Sequence, residues 1–253
     1  MPTINPDDHR GFAASPHIND PLGAQQTPVT WSFNNEDVAD AFDGHVRAQL
    51  PWYSVLSRFT AEIAASFIPN HGLVIDVGAS TGNITRLMQD ELEAKQANAI
   101  SIDPSIEMAA RFDGHGEFFS TKAEDFPFER YRPNVIVCFL TLMFIPPIRR
   151  FELVESMIDS LAPGGAMLIV DKGLITDPRM QVACKAAQLS DKIADGMSAE
   201  AYCAKELALR GQQIPLDEFV LQRMLSAAGM SCSTFFAFGE FYGLAAIKPE
   251  WTE

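Results

Sequence analysis

The chain has 253 residues, 47% apolar and 21% charged, with 16 Gly and 16 Pro. This globular composition excludes collagenous, coiled-coil and wholly disordered architectures, and its length can bury a large core without disulfides or structural metals. With 33 Asp and Glu against 19 Lys and Arg, the formal net charge is -14; direct nucleic acid binding is disfavoured, because Lys and Arg must displace counterions there.

Residues 1–28 are rich in Pro, Asn, Asp, Gly and Gln without periodicity, and are expected to form a flexible tail. A basic region followed by an apolar run is missing from the N-terminus, and the longest apolar stretch, Val135 to Ile145, is too short to cross a bilayer. Cys138, Cys184, Cys203 and Cys232 form no C-x-x-C pair, so neither a metal site nor a disulfide framework is expected. A cytoplasmic location with no membrane contact follows as the expectation.

From residue 29 onward one domain is expected. Val38, Phe42, Val46 and Leu50 recur at helical spacing, with Asn34 or Asn35 as N-cap and Pro51 as stop. A second helix is predicted over 54–67, and a buried strand over 73–77. Alternation then sets in: helix 83–95, strand 97–102, helix 104–112, strands 117–120 and 134–138, helix 149–161 and strand 166–171. Residues 173–211 break the rhythm with two Ala- and Lys-rich helical stretches, an insertion read as a lid or a dimer contact. A helix at 216–228 and strands at 231–238 and 242–248 close the chain, the last two as an antiparallel hairpin. Such alternation predicts an α/β fold with a doubly wound, mainly parallel seven-stranded sheet.

In sheets of this class ligands bind at the strands' carboxyl ends where the strand order reverses. After the first strand the chain reads Asp76-Val77-Gly78-Ala79-Ser80-Thr81-Gly82, small residues that bring backbone close to a ligand. Asp103, followed by Pro104, ends the second strand, where a carboxylate accepts hydrogen bonds from ribose hydroxyls. The loop lacks the third Gly of the dinucleotide fingerprint G-x-G-x-x-G. It resembles instead the D-x-G-x-G-x-G turn of class I S-adenosylmethionine-dependent methyltransferases, with Ser80 at the middle glycine. Lys122-Ala123-Glu124-Asp125-Phe126-Pro127-Phe128 and Leu161-Ala162-Pro163-Gly164-Gly165 resemble the same superfamily's segments after the third strand and before the fifth.

Across residues 31–248 the chain resembles the carboxy-S-adenosylmethionine synthase family. Trp31-Ser32-Phe33, Leu50-Pro51-Trp52-Tyr53, Gly78-Ala79-Ser80-Thr81-Gly82, Leu140-Thr141-Leu142-Met143-Phe144, Asp171-Lys172, Ala228-Gly229-Met230 and Phe241-Tyr242-Gly243-Leu244 carry the likeness. The resemblance implies S-adenosylmethionine or its carboxylated derivative as cofactor. It implies Tyr53, Asp76, Gly78, Ala79, Ser80, Gly82, Asp103, Pro104, Ala123 and Phe139 as cofactor-binding positions, and a homodimer. That family moves a carboxylate, formally from prephenate, onto S-adenosylmethionine, and holds it with an Arg of the neighbouring subunit.

Here the Arg position falls on Glu206, which repels a carboxylate; Arg210, one helical turn on, is the substitute available. The family's Asn after the fourth strand falls on Phe139, and the acidic residue that binds the adenine amino group falls on Lys122. Three readings follow: methyl transfer from S-adenosylmethionine to a small-molecule substrate or other non-phosphate acceptor as the leading one, carboxy-S-adenosylmethionine synthesis, and a non-catalytic cofactor-binding protein. No catalytic base is identified. His9, His17, His45, His71 and His115 are isolated, with His45 expected to face solvent. Phe144-Ile145-Pro146-Pro147 reads as a connection into a helix, and Phe235, Phe236 and Phe238 as sheet core.

Overall fold

The computed structural model describes residues 36–250. The expected tail, the Asn34 or Asn35 cap, Trp31-Ser32-Phe33, His9 and His17 lie outside the described residues. In chain order the elements are α1 (Glu36–Gln49), α2 (Tyr53–Ser66), β1 (Leu73–Val77), α3 (Asn83–Leu87), α4 (Gln89–Ala94), β2 (Asn98–Ile102), α5 (Ile106–Ala109), β3 (Glu117–Phe119), β4 (Val135–Phe139), α6 (Pro147–Ser160), β5 (Ala166–Lys172), α7 (Pro178–Ala194), α8 (Ala199–Leu209), α9 (Glu218–Ala227), β6 (Ser231–Phe238) and β7 (Phe241–Ile247).

The strands form one sheet in the order β3-β2-β1-β4-β5-β7-β6. Only β7 runs against its neighbours, pairing antiparallel with both β5 and β6, and all other pairs are parallel. Period-two alternation in the strands divides the core. Ile75, Val77, Ile100, Ile102, Ile136, Cys138, Met167 and Ile169 face α6 and α9 through Leu153, Met157, Leu221 and Leu225. Val74, Ala99, Val135, Val137, Leu168 and Val170 face α2, α3 and α4 through Leu56, Ala64, Ile84, Met88 and Leu92. Strands buried on both faces read as continuous apolar runs, which is why their bounds were legible in the sequence.

The helix expected over 83–95 is interrupted. Met88, with φ -98 and ψ 1, closes α3 and opens α4, and its amide divides its donation between Ile84 O and Thr85 O at 3.2 Å each. Ile84, Met88 and Leu92 all stay buried across the bend, so packing overrides the propensity to continue. The helix expected over 104–112 is only α5, capped by the Ser105 hydroxyl, which accepts from Met108 N at 3.1 Å. Neither α7 nor α8 contains a buried residue; this pair stands off the sheet and packs on itself. No described helix is long and apolar enough to cross a membrane.

Arg150 on α6 is 2% exposed, and its guanidinium donates to Ile145 O at 2.7 Å and Met143 O at 3.1 Å. Asp171, fully buried, accepts from Met143 N at 3.1 Å on the other side of the same segment. Together they clamp the chain leaving β4. Arg150→Ala would strand two buried carbonyls, and an expected loss of about 3 kcal/mol follows for buried hydrogen bonds to a charged donor. Urea unfolding checks it; a loss under about 1 kcal/mol would mean that the segment holds its shape without the clamp.

Candidate active site

The strand order reverses at β1, which lies between β2 and β4, and the carboxyl ends of these three strands open onto one cleft. Gly78 takes φ +74, and Gly78 N and Ala79 N both donate to Ile102 O, at 2.8 and 3.0 Å. A Cβ on Gly78 would stand 2.3 Å from Thr141 Oγ1, so this turn against β4's exit admits no side chain. Ser80, at φ +52, is held in an unfavourable left-handed conformation, and its amide donates to Asp103 Oδ2 at 3.0 Å. Asp103 Oδ1 accepts from Ser105 N at 2.9 Å. Asp103 thus staples the first turn to the second strand while its carboxylate edge remains on the cleft.

The cleft is a cavity of about 880 Å³, near the upper end of the roughly 300–1,000 Å³ usual for small-molecule sites. Tyr53, Asp76, Gly78, Ala79, Ser80, Asp103, Pro104 and Phe139 line it, whereas Gly82 and Ala123 do not. Gly82 serves the turn into α3, where a Cβ would meet Gly114 N at 2.5 Å. Ala123 is buried behind the wall, between the lining residues Lys122 and Glu124. Tyr53 packs edge-on against Phe139 with ring centroids 5.5 Å apart. Burial first, then Asp43, holds its hydroxyl well above the usual tyrosine range and therefore neutral.

Asp76 is 1% exposed, and its Oδ2 accepts no hydrogen bond among the described residues. Burial, reinforced by the charge of Asp103, pushes its carboxyl up to about 7. Burial likewise raises Asp103, opposed by the amides of Ser105 and Ser80. A buried carboxylate oxygen without a donor suits a cationic ligand group.

Several lining residues were not singled out as site residues in the sequence. His45, expected to face solvent, is half-buried on the cavity wall, with Nε2 3.3 Å from Lys205 Nζ. Lys192 Nζ donates to Gln49 O at 2.6 Å, so α7 and α8 roof the cavity and meet α1. Phe144, Ile145, Pro146 and Pro147 enter α6 as expected and also form wall. Phe238 lines the cavity too, while Phe235 and Phe236 pack against Phe59 and Trp52. On the cavity wall Lys172, Lys185, Glu206 and Glu240 form an ion-paired cluster drawn from four segments. Only tertiary structure brings these four together, and no spacing in the sequence announces them. Arg210, the expected substitute cation, is exposed and does not line the cavity.

The residues fit an S-adenosylmethionine donor: a carboxylate at the end of β2 for ribose, a glycine turn that only backbone fills, and an orphaned buried carboxylate oxygen for an ammonium. Sheet order and turn define the class I S-adenosylmethionine-dependent methyltransferase fold. Residues 46–204 match the family model described as methyltransferase domain. A carboxy-S-adenosyl-L-methionine synthase of Staphylococcus epidermidis is 30% identical over 87% of this chain and 98% of its own length. The enzyme of the same name from Wolinella succinogenes is 29% identical over 92% of this chain and 100% of its own. The plantazolicin methyltransferase BpumL, solved with a desmethylPZN analog and SAH, superposes with a TM-score of 0.59 at 16% identity over 84% of this chain and 89% of that one. The chain belongs to the methyltransferase domain family and, within it, to the carboxy-S-adenosyl-L-methionine synthase family, whose members are S-adenosylmethionine-dependent transferases.

The raised Asp76 carboxyl makes two opposite predictions for pH. In the protein alone its folded value of about 7 exceeds the unfolded value near 3.9, so its contribution to stability is full below pH ~4 and is lost as pH rises through 7. A cationic ligand prefers the ionised form, so S-adenosylmethionine should bind about eightfold tighter at pH 7.5 than at pH 6. Titration calorimetry of wild type and Asp76→Asn checks this; an equally steep rise in the variant would remove Asp76 from the binding site.

Proposed function

We propose that this chain transfers the sulfonium methyl of S-adenosylmethionine to a small-molecule acceptor. Asp103 and Pro104 take the ribose, Asp76 the ammonium, Tyr53 the donor's carboxylate end with Phe139 packed beside it, the 78–82 turn the body of the donor, and the backbone near Ala123 the adenine. The observation that carries methyl rather than carboxyl transfer is the charge at Glu206. At the position from which the family Arg is expected to reach a carboxylate in the neighbouring subunit, this chain carries the anion Glu206, which within its own chain pairs with Lys185 at 3.1 Å. The surrounding cluster of two lysines and two glutamates is neutral, and an added carboxylate meets no uncompensated guanidinium there.

Carboxyl transfer onto S-adenosylmethionine is the second reading. It is favoured by identity to named carboxy-S-adenosyl-L-methionine synthases over nearly their full length. In either case we place the protein in the cytoplasm as a homodimer whose contact includes the exposed α7–α8 pair, with exposed Met180, Val182 and Leu207. Sedimentation showing monomer at micromolar concentration would remove the dimer from this reading.

Mass spectrometry of the nucleoside carried through purification separates the two chemistries. S-adenosylmethionine or its demethylated product is expected, and the carboxylated derivative would reverse the order of the readings. Glu206→Arg is expected to bind the carboxylated derivative at least about tenfold tighter than wild type does, the scale of one charge-assisted hydrogen bond.

A further inference from the structure

The polar cluster on the cavity wall is built with more order than a general surface cluster. Lys172 ends β5, Glu240 lies in the turn between β6 and β7, Lys185 descends from α7, and Glu206 comes from α8. Glu240 is 8% exposed, and the ammonium nitrogens of Lys172 and Lys185 each stand 3.3 Å from the same oxygen, Oε2. At these distances the lysines hold that oxygen by charge and by long hydrogen bonds, and no closer donor reaches it among the described residues. Lys172 Nζ also donates to Gln213 Oε1 at 3.1 Å, and Lys185 Nζ to Glu206 Oε2 at 3.1 Å. An ammonium carries three protons, so each lysine retains one beyond these two contacts.

The cluster is neutral, with Lys172 and Glu240 buried and Lys185 and Glu206 toward its open side, so a ligand group that brings a full charge of its own to the buried pair is disfavoured. A hydroxyl matches it: one proton for Glu240 Oε2, and oxygen lone pairs for the remaining ammonium protons. The walls beside it are aromatic and apolar, with Phe144, Leu209, Ile214 and Phe241, and Lys172 Nζ lies 6.0 Å from the Phe241 ring centre. The two lysines outweigh burial and hold the Glu240 carboxyl below its ordinary value, so Glu240 is a weak base that serves only an acidic hydroxyl. A phenol, near pKa 10, meets that requirement far better than an aliphatic alcohol.

We propose that the acceptor is a phenol-class compound whose hydroxyl is seated between Glu240 and the ammonium groups of Lys172 and Lys185. This rests on the methyl-transfer reading above and supplies its acceptor. Glu240 takes the phenolic proton, and the two lysines pair with the oxyanion that forms. The donor supplies the methyl group and keeps the electron pair of its broken carbon–sulfur bond, so the products are an aryl methyl ether and a neutral thioether. The proton then leaves Glu240 for water.

The test uses the full chain with 4-nitrophenol as the probe, because ionisation of this phenol is visible by absorbance. In the presence of S-adenosylhomocysteine at pH 6, binding to wild type is expected to generate the phenolate band, with the probe's acidity raised at least tenfold. Lys172→Met and Lys185→Met should each bind the probe in its neutral form or lose it, while S-adenosylhomocysteine affinity stays within about twofold. With S-adenosylmethionine, Glu240→Gln should methylate the probe about tenfold more slowly at pH 6, where roughly a tenth of the free probe is already ionised. Its rate should recover at pH 8.5, where the free probe is already ionised, a rescue that a merely structural residue would not show. A probe that does not bind or stays neutral in wild type, or lysine variants that behave as wild type does, would overturn the proposal while S-adenosylhomocysteine still binds. Failure of S-adenosylhomocysteine itself to bind would sink the methyl-transfer reading beneath it.

Discussion

The close approach of Gly78 to Thr141 is the constraint on which the site depends. At φ +74, Gly78 turns the chain out of β1 so tightly that its amide and that of Ala79 reach back to Ile102 at the end of β2. On the opposite side Thr141 Oγ1 donates to Val77 O at 2.8 Å, which ties the exit of β4 to the same turn. Three strand ends are therefore fixed relative to one another by one residue without a side chain. Leu140, at φ +58, is the strained counterpart just after β4. Its conformation persists because Thr141 beside it, and the clamp from Arg150 and Asp171 just beyond, leave the backbone little choice.

A sheet of this kind gathers carboxylates where it can least solvate them. Asp76 and Asp171 are both pushed up to about 7 by burial, yet their partners differ. Asp171 receives amides from Met143 and Lys172 and faces the Arg150 guanidinium, so its cost is met within the fold and it shapes the segment after β4. Asp76 has an oxygen with no donor among the described residues, the feature on which its proposed role toward an ammonium rests. The difference sets a carboxylate satisfied by the fold apart from one that is not.

What the sequence made legible follows from which forces are local. Strand bounds were readable because continuous apolar runs such as Val135 to Phe139 have no other use, and the 76–82 turn was readable because small residues after a buried strand solve one geometric problem. The break at Met88 was hidden, since residues 83–95 satisfy helix periodicity and only the shared burial of Ile84, Met88 and Leu92 shows why a bend is tolerated. His45 was misplaced for a similar reason: α1 has a polar face by periodicity, and nothing local reveals that α7 and α8 cover it. The polar wall was illegible altogether. Lys172, Lys185, Glu206 and Glu240 are spread across 69 positions of the sequence, and their meaning lies in one shared oxygen.

That wall also changes how the Glu206 departure is understood. Taken in the sequence alone, a glutamate at the expected Arg position is a lost cation and suggests decayed chemistry. In the fold the glutamate has a partner on the facing helix: Lys185 reaches both Glu206 and the buried Glu240, and Lys172 completes the set from the sheet. A site that had merely lost its cation would leave a buried carboxylate such as Glu240 without compensation, a costly state that would raise its pKa. The opposite holds, since the lysines lower it despite burial. The charges stand as a balanced pair of pairs, and the proposal of a hydrogen-bonding acceptor in place of an ionic one rests on that balance.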